Sequence, residues 1–266
     1  VFPSGATLKG DTVFLYYGAA DTTTCVAIGS LKALLKEMKM QDKDRPRFER
    51  YRRNPVLKPL AEHPWEAKAV FNPAAIDEDG TVRILYRAMG ADDTSVLGYA
   101  ESKNALKISK RLPDPVYVPR ADFEQKHAPG NSGCEDPRLT RFDDTYYMLY
   151  TAVDAATPPR VALTTISADD LLSERFDRFE MPVLISPPGI DDKDACLFPE
   201  KIGGHYVILH RIQPSIDINF LTSLDFDGET TWLIHNPFIF PRRGMWDSRK
   251  IGINTAPVRT NQGWLI

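Results

Sequence analysis

Acid–base work on a covalent bond needs a carboxyl group whose surroundings hold its proton, and Asp136, in Glu135-Asp136-Pro137-Arg138, stands in a frame that suits one. Pro137 fixes the backbone and removes a donor, so the acid before it sits at a turn or strand end. A lone Asp-Pro is most often a solvated turn, so its chemistry depends on partners, and two kinds are present. Asp194 and Glu200 are further carboxylates able to activate water, whereas Lys193, Arg211 and Lys250 each read alone as a surface cation and would hold a small anion only if clustered. Side chains able to hold a polyhydroxylated ligand recur at strand ends: Asn72, Arg87, Asp92 and Asp93 begin and end one hairpin, and Asp21 ends another after Tyr17. Asp92-Asp93 reads equally well as a plain turn pair. His210, beside Arg211, is either a ligand contact or a structural histidine. His63, His127, His205 and His235 are scattered without metal-ligand spacing, and the chain shows no glycine-rich nucleotide loop and no Ser-His-Asp arrangement.

These residues lie on elements that repeat. Five times a short polar turn ends in a proline (Pro3, Pro73, Pro137, Pro199, Pro257) and runs into an apolar strand, then a second, aromatic-rich one. The second strands read Val13-Phe-Leu-Tyr-Tyr, Val82-Arg-Ile-Leu-Tyr-Arg, Tyr146-Tyr-Met-Leu-Tyr-Thr, Tyr206-Val-Ile-Leu-His-Arg and Trp264-Leu-Ile, and a third strand follows four of them. Sheet-sized units repeated in this way predict an all-β fold, a five-bladed β-propeller, whose inner strands gather their starts around one central pocket. Tyr16, Tyr17, Tyr86 and Tyr150 alternate with apolar neighbours and are assigned to packing between blades. One segment breaks the pattern: Leu31, Leu34, Leu35 and Met38 have helical spacing, which predicts one peripheral helix over 31–40, followed by the polar linker 41–47. Residues 169–172 suit a brief helical turn. The fifth unit reaches Ile266 after about one and a half strands, so the last blade of this single domain, 1–266, is expected to be incomplete.

Bulk composition narrows the function. A formal charge of −3 with no basic stripe excludes a nucleic-acid surface, and 42% hydrophobic residues include no run long enough to span a membrane. Cys25, Cys134 and Cys196 form no CxxC pair, which favours buried thiols in a reducing compartment and a cytoplasmic location. The predicted helix offers a face for self-association.

Several stretches together resemble glycoside hydrolase family 130, the β-mannoside phosphorylases and β-mannosidases. They are Phe71-Asn-Pro-Ala-Ala, Leu85-Tyr-Arg, Gly133-Cys-Glu-Asp-Pro-Arg, Lys193-Asp-Ala-Cys-Leu-Phe-Pro-Glu-Lys, Leu209-His-Arg, Arg249-Lys-Ile-Gly, Gly263-Trp-Leu-Ile, and Phe2-Pro-Ser-Gly with Tyr16-Tyr-Gly-Ala-Ala-Asp. The family fold is a five-bladed propeller. The resemblance implies that Asp136 is the proton donor, acting through a sugar hydroxyl, and that Lys193, Arg211 and Lys250 bind phosphate. It further implies that Asp21, Asn72 and Arg87 line a mannosyl subsite; Asp92, Asp93, Glu135, Arg138 and His210 are counted with the substrate-binding residues. Inorganic phosphate is then a co-substrate, and no cofactor or metal is called for. The order departs from the family: residues 1–40 resemble its C-terminal blade and helix, and 48–266 its N-terminal blades. A Tyr-His-Gly turn that follows the Trp-Leu-Ile stretch in the family, and whose histidine contacts phosphate in the phosphorylases, has no counterpart. The expected activity is inverting phosphorolysis of β-1,2- or β-1,4-mannosides to α-mannose 1-phosphate. The alternatives are a β-mannosidase of the same family and a sugar-binding propeller without activity.

Overall fold

The computed structural model describes residues 2–39, 48–253 and 255–266. The linker expected over 41–47 lies outside them, as does Met40 of the predicted helix. Among the described residues eighteen strands are arranged as five antiparallel units in chain order. The first contains β1 (Phe2–Lys9), β2 (Thr12–Ala19), β3 (Thr23–Ser30) and β4 (Glu49–Arg50), with helix α1 (Leu31–Lys39) between the last two. The second contains β5 (Ala69–Glu78), β6 (Thr81–Met89), β7 (Thr94–Ser102) and β8 (Lys110–Arg111). The third contains β9 (Ser132–Phe142), β10 (Thr145–Val153), β11 (Arg160–Ser167) and β12 (Val183–Leu184), with a short helix α2 (Ala168–Leu172) where a helical turn was expected. The fourth contains β13 (Asp192–Leu197), β14 (Tyr206–Ile212), β15 (Ile216–Leu221) and β16 (Pro237–Ile239). The fifth contains β17 (Val258–Thr260) and β18 (Gly263–Leu265) among the described residues. The chain is an all-β, five-bladed propeller.

Blades stack face to face, so a strand near the middle of a blade is covered on both sides and its sequence is apolar with little alternation, as in Ile84-Leu85-Tyr86. Four apolar clusters fill the four successive junctions. Tyr16 and Val26 meet Val70, Ile84 and Tyr86 between blades 1 and 2. Leu85, Leu97 and Tyr99 meet Leu139, Met148 and Tyr150 between blades 2 and 3. Leu149, Val161 and Leu163 meet Ala195, Leu197 and Ile208 between blades 3 and 4. Cys196, Phe198 and Leu209 meet Ile253 and Trp264 beside the fifth unit. All four tyrosines assigned to packing are in the core; Tyr16 donates from its hydroxyl to Ala105 O at 2.6 Å, and Tyr86 to Glu66 Oε2 at 2.8 Å. The three cysteines are free and buried. Helix α1 begins where Ser30 Oγ accepts from Ala33 N and Asp11 Oδ1 accepts from Lys32 N, which satisfies two of its unpaired first-turn donors.

Blades 2 and 3 are joined by more than packing. β7 pairs with β9 in parallel at Thr94–Ser132 and Ser95–Gly133, so the inner strand carrying Asp136 is stitched to the blade carrying Arg87.

Candidate active site

The polar residues reach the centre because the inner strands are irregular at their starts. The ladder slips between Phe71 and Ala74 in β5, between Glu135 and Arg138 in β9, and between Lys193 and Cys196 in β13. At each slip one residue takes a left-handed backbone: Asn72 at φ 46°, Asp136 at 52° and Asp194 at 56°. Asn and Asp tolerate that conformation better than other side-chain-bearing residues, and an extra residue at a bulge re-aims its side chain out of the pleat. The bulge therefore lets neighbouring Glu135 and Asp136 meet one common partner, where a regular strand would send them to opposite faces.

The register corrects the reading of the repeat. Pro73 and Pro137 follow the bulge residue directly, but in blade 4 the equivalent position is Asp194, followed by Ala195, and Pro199 lies beyond the end of β13. Glu200 is half-exposed, 3.7 Å from Arg259 Nε.

Arg87, buried on β6, is the common partner. Its Nη2 lies 2.5 Å from Glu135 Oε1 and its Nη1 3.2 Å from Asp136 Oδ1, while Nε donates to Ser95 Oγ at 3.0 Å. The Phe71 ring lies 4.6 Å from the guanidinium carbon and covers one face of the guanidinium. Asn72 Nδ2 donates to the same Asp136 Oδ1 at 3.0 Å. Burial, opposed by Arg87 and assisted by the charge of Asp136, pushes the Glu135 carboxyl up to about 7. Two acids and one guanidinium thus share a pocket in which a proton is retained near neutrality. Beneath them, buried Arg138 donates to Asp136 O at 2.6 Å and to Ile253 O at 3.3 Å, which pins the bulge to the chain leading into the fifth unit.

Blade 4 supplies the opposite electrostatics. Lys193 on β13 and Arg211 on β14 are direct cross-strand partners. Like charges opposed in this way are unfavourable unless an anion lies between or beside them. Arg211 is buried, its Nη1 lies 2.8 Å from Asp194 Oδ2, and its Nε meets no hydrogen-bond partner among the described residues. Lys193 is partly exposed, 3.7 Å from Asp191 Oδ1. Burial holds the Asp194 carboxyl above its ordinary value against the pull of Arg211. Lys250 is exposed; Ile251 N donates to Pro214 O at 3.3 Å, which sets Lys250 over the turn that follows Arg211.

The remaining expected residues fall in three places. Asp21, at φ 47°, is exposed in the β2–β3 turn, whose Thr22 O accepts from Val70 N beside the start of β5. Asp92 and Asp93 are engaged in their own turn: Asp92 Oδ1 accepts from Thr94 N at 3.2 Å, and Asp93 pairs with Lys68, whose hydrogen bond lowers its carboxyl. His210 is completely buried inside blade 4, with both ring nitrogens occupied by Asp192 and Asn219, so it does not present a face to the pocket. Sequence reasoning missed Ser95, Asp192 and Asn219, which carry no motif of their own, and ranked Asp194 only as a water-activating base. Among the described residues no group of three His, Cys, Asp or Glu is placed to hold a metal ion.

Comparison with known proteins adds a family to this geometry. The family model for glycoside hydrolase family 130, described as beta-1,4-mannooligosaccharide phosphorylase, matches residues 41–266. A 1,2-beta-oligomannan phosphorylase of Thermoanaerobacter sp. (strain X514) is 36% identical over 219 residues, covering 80% of this chain and 68% of that one. A beta-1,2-mannobiose phosphorylase from the same organism is 33% identical over 233 residues, covering 83% and 71%. Among solved structures, a glycoside hydrolase of Bacteroides ovatus superposes with a TM-score of 0.63 at 28% identity, covering 79% of this chain and 67% of that one.

Proposed function

The chain belongs to glycoside hydrolase family 130, and from that membership we propose that it is an inverting β-mannoside phosphorylase, a hexosyl transferase acting from sugar to phosphate. The carrying observation is the Lys193–Arg211 cross-strand pair, placed on the blade next to the Asp136 bulge. Two opposed cations suit an oxyanion nucleophile, which needs holding rather than activating. The relatives' names favour β-1,2-linked mannobiose or short oligomannan as the sugar.

In this reading the mannosyl unit is bound over Asn72 and the Glu135–Asp136 pair, with Asp21 at the rim. A phosphate oxygen held by Arg211, Lys193 and Lys250 attacks the anomeric carbon from the α face. The bond from that carbon to the leaving oxygen breaks, and the leaving oxygen takes, by way of Asp136, the one proton that the Glu135–Asp136 pair retains. The products are α-mannose 1-phosphate and a sugar one unit shorter. Arg87 holds Asp136 in place and balances its charge once the proton has left. A hydrolase would need a free second carboxylate to activate water. Asp194 is the carboxylate in the equivalent position, and it is buried and ion-paired to Arg211, which favours phosphorolysis.

The test is product analysis on β-1,2- and β-1,4-mannobiose with and without inorganic phosphate. Mannose 1-phosphate formed only with phosphate supports the proposal, and free mannose at equal rates in both tubes makes the protein a mannosidase. Asp136→Asn is expected to lower kcat by about 10²–10⁴-fold, the usual contribution of a positioned general acid, with KM for phosphate little changed.

A further inference from the structure

The residues behind the phosphate cations form a buried string whose proton positions can be deduced. Ile234 N donates to Asn219 Oδ1 at 2.8 Å, and a backbone N–H can only donate, so that atom of the amide is the oxygen. Asn219 Nδ2 is therefore the atom 3.0 Å from His210 Nε2, and it also donates to Ile234 O at 2.9 Å. An amide nitrogen can only donate, so Nε2 is the unprotonated ring nitrogen. The proton of the neutral ring is on Nδ1, 2.8 Å from Asp192 Oδ2, to which it donates. His210 and Asp192 are both completely buried.

We propose that Asn219 is a positioning residue for phosphate use: it locks His210 as the neutral Nδ1–H tautomer and so keeps the charge behind Lys193 and Arg211 constant with pH. The string spans three strands. Asp192 precedes Lys193 on β13, His210 precedes Arg211 on β14, and Asn219 lies on β15. Each string member next to a cation points to the other side of the blade from it, so the string fixes the two strands that carry the cations without touching the ligand. Other charged groups near the ring are Asp217, the cross-strand neighbour of His210, and His235, whose Nδ1 lies 2.7 Å from Asp217 Oδ1. Two buried aspartates beside the ring would favour its charged, doubly protonated form. The amide donor opposite Nε2 prevents this. The assignment of phosphate to Lys193 and Arg211 rests on the function proposed above, whereas the tautomer does not.

Two measurements separate the two claims. Imidazole ¹⁵N resonances of wild-type protein at pH 6 are expected to show His210 with an unprotonated Nε2; an imidazolium signal overturns the lock whatever the enzyme's activity. In Asn219→Asp the new carboxylate accepts instead of donating, so His210 is expected to be doubly protonated at pH 6 and to lose that proton as pH rises. Above that point the blade carries one extra negative charge, and KM for inorganic phosphate is expected to rise about tenfold relative to wild type between pH 6 and 8.5, with KM for mannobiose within about twofold. An unchanged phosphate profile, or an equal rise in both KM values, overturns the positioning role. Should Asn219→Asp not fold, His210→Asn keeps an N–H for Asp192 and His210→Leu does not; a phosphate KM preserved in the first and raised in the second supports the role, and equal values overturn it.

Discussion

Glu135 carries the information that the sequence hid. Asp136 could be picked out from Glu-Asp-Pro-Arg, but its neighbour was counted only with the substrate-binding residues, because nothing in a linear chain shows that a bulge turns both toward Arg87, 2.5 Å from one and 3.2 Å from the other. The consequence is measurable without substrate. The folded Glu135 carboxyl titrates near 7, against an ordinary value of 4.5. Between those values the folded protein holds a proton that the unfolded chain has released, so this group's contribution to stability is intact below about pH 4.5 and is lost as pH rises toward 7. Glu135→Gln removes the titration. The difference in Tm between wild type and Glu135→Gln is expected to move against the wild type from pH 4.5 to 7 and then level off; parallel Tm curves would show that the carboxyl is not held protonated.

At the scale of elements, the strands were legible and their irregularities were not. Apolar runs bounded by Asp-Gly and Gly-Gly turns marked the hairpins, and helix α1 (Leu31–Lys39) followed from the spacing of Leu31, Leu34, Leu35 and Met38. The bulges carried no consistent signal: a proline follows the bulge residue in β5 and β9, but in β13 Asp194 is followed by Ala195. The β7–β9 stitch left a signal that only the fold explains. Gly133, beside the Asp136 bulge, has φ +97°, and a Cβ there would lie 2.1 Å from Ser95 O. Ser95 also accepts from Arg87 Nε, so displacing it would loosen the clamp on both acids. Gly133→Ala is expected to cost about 3 kcal/mol or more in urea unfolding, from left-handed strain plus a backbone clash. Gly80→Ala is the control, since Gly80 has φ +77° but open space around it; it should cost only about 1–2 kcal/mol. Equal losses at the two sites would remove the argument that the stitch is sterically closed.

For the whole molecule, the five-unit repeat was enough to predict a propeller. Its first unit packs on its second, as Tyr16 and Val26 do against Val70 and Tyr86. What the sequence could not give was the division of labour across the ring, with acids and Arg87 on blades 2 and 3 and opposed cations on blade 4. That division predicts how an anion couples to the fold. An anion held by Lys193 and Arg211 binds the folded state and not the unfolded chain, so inorganic phosphate at about a hundredfold excess over its dissociation constant should stabilise the protein by about 2.7 kcal/mol. For a chain of this size that is a rise in Tm of roughly 5–10 °C, measured against chloride at equal ionic strength. Arg211→Ala should start from a lower Tm, because Asp194 is left buried without its partner, and should show little further response to phosphate. Asp136→Asn, changed on the other side of the pocket, should keep the full phosphate response. A phosphate shift that survives in Arg211→Ala would place the anion elsewhere, and with it the nucleophile of the reaction.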